Sequence, residues 1–305
     1  MSFSGIGGQA VMEGVMMRNG RDYATAVRLP DGSIHVEKKR TGFDATTINK
    51  IPLVRGIYSF ANSMYLGLST LMYSSTFFED ESPKEKDDKK GREGLEMAGI
   101  LLLSVVIALA LFMALPFYAS RLFSHFTASP QVLAFIEGVI RIAIFLIYVA
   151  LIGRTEDIRR VFMYHGAEHK CINCIEHGRP LSVENVRKSS RQHKRCGTSF
   201  LFIVLLISVF VFMFIRADSR LLQLLLRLLL IPAIAAVSYE FIRLAGKSEN
   251  VCVNILSKPG LALQNMTTRE PDDDMIEVGI AAVEAVFDWE SFLAKEDAEA
   301  ADDDR

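Results

Sequence analysis

The stretch AGILLLSVVIALALFMALPFY, within residues 97–118, decides how this sequence is read. It carries no charged side chain over a length that matches the roughly 20 residues needed to cross a bilayer. It is also apolar all round, whereas a helix of a soluble domain pairs an apolar stripe with a polar face. Three further stretches are comparable: 131–152 (QVLAFIEGVIRIAIFLIYVALI), 198–216 (TSFLFIVLLISVFVFMFIR) and 221–245 (LLQLLLRLLLIPAIAAVSYEFIRLA). Buried helices of a large soluble core are the alternative, and the first and third stretches fit that poorly. The expected fold is therefore mainly α and integral to a membrane, with about four transmembrane helices. Composition agrees, since half of the 305 residues are apolar and the mean hydropathy is +0.24.

The remaining segments divide by composition. Residues 1–50 form an N-terminal segment in which 22–40 (DYATAVRLPDGSIHVEKKR) reads as a β-hairpin turning at Pro-Asp-Gly. The preceding GGQAVMEGVMMRNG is a short strand or an exposed loop. Residues 51–78 are apolar but interrupted by Arg55, Asn62 and several Ser, and read as an amphipathic, interfacial helix. A charged linker, solvated and mobile, is expected over 79–95. The membrane region spans 96–246 and includes a polar loop, 153–197. A C-terminal segment, 247–293, contains a helix at about 272–293, with Asp272, Asp273 and Asp274 suited to its positive end. An acidic tail, 294–305, is expected to be disordered. No internal repeat is visible, and the N-terminal residues lack the basic-then-apolar pattern of a secretory signal.

The net charge of −2 conceals an asymmetry. The 153–197 loop carries Arg154, Arg159, Arg160, Lys170, Arg179, Arg187, Lys188, Arg191, Lys194 and Arg195, while the connections 119–130 and 217–220 carry only Arg121 and Arg220. By the positive-inside rule, both termini and the loop lie in the cytoplasm. Cys171, Cys174 and Cys196 would then be thiols available to a metal. The basic loop has no interleaved aromatics and no Gly-rich phosphate loop follows a strand, so neither nucleic acid nor nucleotide is expected as a partner.

The loop opens with YHGAEHKCINCIE, residues 164–176. On a helix His165 and His169 share a face, so both imidazoles can reach one cation. Glu168 lies on nearly the same side, where it can take a proton from water. This H-x-x-E-H order is that of the inverted zinc-peptidase motif. A second pattern, Cys171-x-x-Cys174 followed by His193-x-x-Cys196, is close to the spacing of a closed structural zinc site. One ion cannot serve both, because at 100° per residue Cys171 and Cys174 fall roughly opposite the two His. Glu176 shares the His face but lies about 10 Å further along the axis. The remaining ligands must come from His193 and Cys196, from Glu240 at the end of the last span, or from Glu13. In the second span Glu137 and Arg141 share a face, as an ion pair turned into the bundle or as a polar groove for a head group. Arg227 can snorkel and receives no role.

GGQAVMEGVMMR (7–18), YHGAEHKCINCIE (164–176), HKRCGTSF (193–200), SYEFIRLAG (238–246) and PGLALQNMTTREPDD (259–273) together resemble the YqhQ-like family of bacterial multi-pass membrane proteins. This domain-of-unknown-function group is described as predicted metal-dependent enzymes. The resemblance implies residence in the bacterial cytoplasmic membrane. It also implies a cytoplasm-facing site built from His165, Glu168, His169, Cys174, His193 and Cys196, with Cys171 outside it. It supplies no reaction.

Two functions are open, beside a third case in which no metal binds and the His and Cys side chains are hydrogen-bonded or packed between loop and bundle. The first is a metal-dependent hydrolase: His165 and His169 bind a divalent ion, zinc by ligand type, and His193, Cys196, Cys174 or Glu240 completes the shell. Glu168 is then the general base, and Lys170 or Arg195 steadies developing negative charge. Its substrate would be a peptide, an acyl ester or a lipid phosphoester met at the bilayer. The second is a non-catalytic scaffold or regulator with a closed Cys/His zinc clamp. A homo-oligomer is compatible with either.

Overall fold

The computed structural model describes residues 3–42, 48–78, 86–217, 219–246 and 250–303. The chain divides into two compact units, one comprising Met1–Phe78, Leu151–Phe202 and Ala236–Arg305, the other Glu79–Ala150 and Ile203–Ala235.

The first unit holds an antiparallel sheet of β1 (Gly7–Val11), β2 (Gly14–Asn19), β3 (Asp22–Arg28) and β4 (Ile34–Arg40), adjacent in chain order. The hairpin expected over 22–40 is β3–β4, with Arg28 opposite Ile34. Its turn is closed by the Asp31 carboxylate, which accepts from the Ser33 amide at 2.9 Å, while Gly32 takes the left-handed φ of 85°. The residues left between strand and loop form a second hairpin, β1–β2. Their apolar run does not alternate because both sheet faces are covered. Val15, Met17, Ala24 and Ala26 pack in one core with α5 (Glu156–Glu176) and α10 (Asp273–Glu284). On the other face Val11, Met16 and Val27 meet Leu66 of α1 (Val54–Ser75).

Helix α1 lies within the expected 51–78. A Cβ on Gly56 would come within 2.9 Å of the Ala236 backbone, so α1 lies close against the end of α8 (Arg220–Ala245). On its other side Ile57, Met64, Tyr65, Leu68, Leu71 and Met72 are exposed. The C-terminal segment differs from expectation. Helix α10 stops at Glu284, and α11 (Trp289–Asp303) continues through most of the expected disordered tail. Asp288 starts α11 by accepting from the Ser291 amide at 3.0 Å, and the Ala/Glu-rich residues that follow are good helix formers.

The second unit is helical. Helix α2 (Lys86–Leu109) begins inside the expected linker, whose residues 79–85 lie outside those described. Lys and Glu propagate a helix readily once an adjoining span nucleates it. A π-helical turn (Ala110–Ala114), α3 (Leu115–Ser120) and a 3-10 turn (Arg121–His125) complete the first apolar run. Helix α4 (Pro130–Ile152) follows, and α7 (Gly197–Phe212) and the start of α8 close the unit. Gly138 of α4 brings the helix so near α7 that an added Cβ would sit 2.4 Å from Val209.

Among the described residues three helices, Ala98–His125, Pro130–Ile152 and Arg220–Ala245, are long and apolar enough to cross a membrane. The expected span over 198–216 is a helix of 16 residues, short of the roughly 20 required. Past Phe212 it tightens, with the Phe214 amide donating to the Val211 carbonyl at 3.1 Å, a three-residue spacing.

Candidate metal centre

The polar stretch 164–176 is the C-terminal half of α5. Glu156 and Asp157 occupy the first turn of the helix, where negative charge suits the dipole. It ends at Glu176, and Gly178 (φ 70°) lets the Arg179 amide return to the Cys174 carbonyl at 3.0 Å. Apart from His165, every residue from Tyr164 to Glu176 is buried. Polar side chains tolerate this only when paired, and the stretch 187–192, from the end of α6 (Val183–Lys188) onward, supplies the partners. Lys170 Nζ donates to the carbonyls of Arg187 (2.8 Å) and Ser189 (3.0 Å), and Asn173 donates to those of Ser190 (2.6 Å) and Gln192 (2.9 Å). Much of the polarity of α5 therefore fastens one loop to one helix.

That loop delivers Cys196. Its Sγ lies 3.3 Å from His165 Nε2, and donor atoms of His165, His169 and Cys196 all fall within 4.8 Å of one another. The two imidazole centroids are 4.4 Å apart. Both rings are held from behind, His165 Nδ1 by the Thr267 carbonyl at 2.9 Å and His169 Nδ1 by the Arg191 carbonyl at 2.6 Å. Anchoring Nδ1–H on a carbonyl leaves Nε2 as the free donor, as outer partners of metal-binding His commonly do. Glu168 Oε2 sits beside both, 3.8 Å from His165 Nε2 and 3.7 Å from His169 Nε2.

Electrostatics prepares the sulfur donor and favours protonated rings, so an ion binding here would displace a proton from each imidazole. Burial alone would keep the Cys196 thiol neutral, but His165 and His169 drive it well below the ordinary thiol range. Burial likewise opposes charge on His165, yet the Cys196 thiolate and Glu168 raise it to about 9, and His169 moves in the same direction. A thiolate is the form in which Cys binds metal. With Zn–N near 2.1 Å and Zn–S near 2.3 Å, a tetrahedral ion holds N and S about 3.6 Å apart, close to the separation found. The residues fit a divalent cation with nitrogen and sulfur ligands.

The other expected site residues are elsewhere. His193 is buried with Nε2 3.3 Å from Glu176 Oε2, its ring centroid 5.8 Å from that of His169, because the carboxylate is the nearer and stronger partner. Cys174 sits in the hydrophobic core, its thiol 3.6 Å from the Arg179 carbonyl and pushed up by burial. Glu240 accepts from Arg55 Nε at 2.7 Å and from the Leu53 amide at 3.2 Å. Glu13 pairs with Arg160 at 2.5 Å. Lys170 completes its set of partners with Glu270 at 2.6 Å, and Arg195 is held by Glu176 at 2.5 Å and stacks over Phe3. Neither basic residue is presented to the cluster. Cys171, expected to lie outside the site, packs against α10, where a Cβ on Gly279 would come within 2.9 Å of its Sγ.

Residues without an assigned role do the positioning. Gln264, near the end of α9 (Val251–Thr267), accepts from the His193 amide at 2.8 Å and donates to its carbonyl at 2.7 Å, fixing the strand of chain that leads to Cys196. Thr198 places its amide 3.4 Å from the thiol. Gly166 is required because a Cβ there would sit 2.0 Å from the Arg269 carbonyl. In the QNMTTRE string Gln264 acts through its side-chain amide, whereas Thr267 and Arg269 act through backbone carbonyls that no side-chain pattern reveals.

A mainly helical chain with apolar helices of membrane-crossing length and a His/His/Cys cluster that could hold a metal ion defines the class. Within that class the chain belongs to the family described as "Protein of unknown function (DUF1385)", whose model matches residues 51–289. It is 35% identical over 284 residues to "Uncharacterized protein YqhQ" of Bacillus subtilis (strain 168), covering 90% of this chain and 89% of that relative. No solved structure matches it.

Proposed function

We propose that the protein is a metal-dependent hydrolase of the bacterial cytoplasmic membrane whose site opens to the cytoplasm. What supports this is one juxtaposition: the Glu168 carboxylate oxygen lies within 3.8 Å of the Nε2 atoms of both His165 and His169, beside the Cys196 thiolate. Three protein donors with one position left over is the arrangement of catalytic rather than structural zinc. A divalent ion there supplies Lewis acidity and lowers the pKa of water. His165, His169 and Cys196 would hold it, with the Thr267 and Arg191 carbonyls engaging Nδ1 of the two rings. Glu168 takes the proton from attacking water and passes it to the leaving group. The basic residues of the 153–197 loop turn this face to the cytoplasmic leaflet, where a peptide, an acyl ester or a lipid phosphoester is within reach.

A second reading follows from the same distances, because Glu168 could close the shell as a fourth ligand and make the site a structural clamp. Elemental analysis of detergent-purified protein separates the two. The expected result is about one zinc-class ion per chain, lost in His165→Ala and Cys196→Ala. Glu168→Gln is expected to keep the ion while turnover of fluorogenic ester, phosphodiester and peptide panels disappears. Loss of the ion in Glu168→Gln instead makes Glu168 a ligand and removes the hydrolase reading.

A further inference from the structure

The second unit carries an unbalanced set of buried charges. Glu137 of α4 is 2% exposed, Arg141 of the same helix 4% and Arg227 of α8 1%. Glu137 accepts from Arg141 Nη2 at 2.5 Å and from Arg227 Nη1. Both guanidinium groups lie over the Phe212 ring, at 5.0 and 5.1 Å from its centre. Arg227 also lies 5.0 Å from the centre of Phe117, and Arg121 lies 4.9 Å from the same ring. Arg121, Arg227 and Arg141 thus form a ladder from a half-buried rim inward, three positive charges against one carboxylate among the described residues.

Burying one unmatched guanidinium in an apolar bundle is costly, and burying two more so. Arg141 has further partners in the Phe112 carbonyl at 2.9 Å and Ser208 Oγ at 3.0 Å, and Arg121 has Gln223 Oε1 at 3.1 Å. These are neutral groups, so among the described residues the charge is left uncompensated. The Nε atoms of Arg227 and Arg121 are buried without a hydrogen-bond partner among the described residues. Nε is half of the fork with which Arg grips a planar or tetrahedral oxyanion in bidentate fashion. On both arginines, then, this half of the grip is unpaired beside one aromatic ring. Arg227, able by position to snorkel, is instead enclosed at 1% exposure.

We propose that Arg121 and Arg227 bind a phosphate-type oxyanion along the edge of Phe117, with Glu137 and Arg141 holding Arg227 in place. The anion is either a phospholipid head group entering at the end of the bundle where Arg121 lies, or a soluble phosphate. The assignment is independent of the metal site.

The test is thermal unfolding of the full-length protein in a neutral detergent. Phosphatidylglycerol is compared with diacylglycerol of the same acyl chains, and inorganic phosphate with sodium chloride at equal ionic strength. A rise in midpoint of about 3 °C or more is expected with the phosphate-bearing member of at least one pair. A rise with the lipid alone identifies a head-group site, and one with inorganic phosphate identifies a soluble anion. In Arg121→Gln, at the rim and outside the Glu137 pairings, the rise should shrink to less than a third. Arg227→Lys, which keeps the charge and loses the fork, should behave the same way. Should Arg227→Lys fail to fold, Arg121→Gln decides alone. No rise beyond either control, or an undiminished rise in Arg121→Gln, overturns the proposal.

Discussion

At the scale of single residues, the cluster depends on contacts that leave no room for substitution. Gly166 lies between His165 and Ala167 with the Arg269 carbonyl where a side chain would go. Gly166→Ala must push away the chain segment whose Thr267 carbonyl orients His165. We expect it to destabilise the protein by about 2 kcal/mol or more and to lower bound metal, read by denaturant unfolding and elemental analysis on one preparation. Glu176 gives a pH signature. Burial alone would raise its carboxyl, but hydrogen bonds from His193, Ser4 and Arg195 hold it down at about 2. A carboxyl depressed in the folded state contributes stability above its unfolded value, and that contribution is lost as pH falls from about 4.5 toward 2. Acid titration of stability should therefore steepen in that window for wild type and flatten for Glu176→Gln. An unchanged slope in the variant would show that Glu176 is not the group responsible.

At the scale of elements, the site is a junction of three segments: α5, the loop before α7, and the end of α9. Gln264 joins the last two by pairing both backbone groups of His193. Gln264→Ala leaves a buried amide and a buried carbonyl unpaired, at about 1–3 kcal/mol each. It should weaken metal retention although Gln264 touches no donor atom. Cys174→Ala and His193→Ala probe the opposite case. Both residues were expected among the ligands, yet Cys174 lies in the core and His193 on Glu176. Both variants should bind as much metal as wild type, and a loss in Cys174→Ala would reinstate the closed Cys/His site. The pairing of His165 with His169 was legible because helical periodicity alone puts them on one face. The choice of Cys196 over His193 was not, since it turns on a loop whose course is set by carbonyls.

At the scale of the whole molecule, apolar length and charge placement govern how the chain meets the bilayer. The proposed orientation puts both termini in the cytoplasm. A fluorescent protein that matures in the cytoplasm should be bright when fused after Arg305, and a phosphatase that requires export should be inactive at the same point. The reverse pattern would turn the His/Cys cluster away from the cytoplasm and remove the proposed access of its substrate. The 16-residue α7 shows how an apolar run and the helix within it can differ in length. Hydropathy registers every apolar residue from Thr198 to Arg216, whereas the helix itself stops where its hydrogen bonds shorten to three-residue spacing after Phe212.

The sequence by itself determined a mainly helical chain with helices long and apolar enough to cross a membrane, the β3–β4 hairpin and the shared face of His165, Glu168 and His169. Each follows from local periodicity, side-chain chemistry or apolar length. Only the tertiary structure decided that Cys196 joins the two imidazoles, that Lys170, Arg195 and Glu240 are held in ion pairs, and that Arg227 is enclosed beside Glu137. Those outcomes depend on which buried charge or backbone carbonyl comes within about 3 Å of which side chain, and a hydrogen bond of that length carries no trace in the linear spacing of residues.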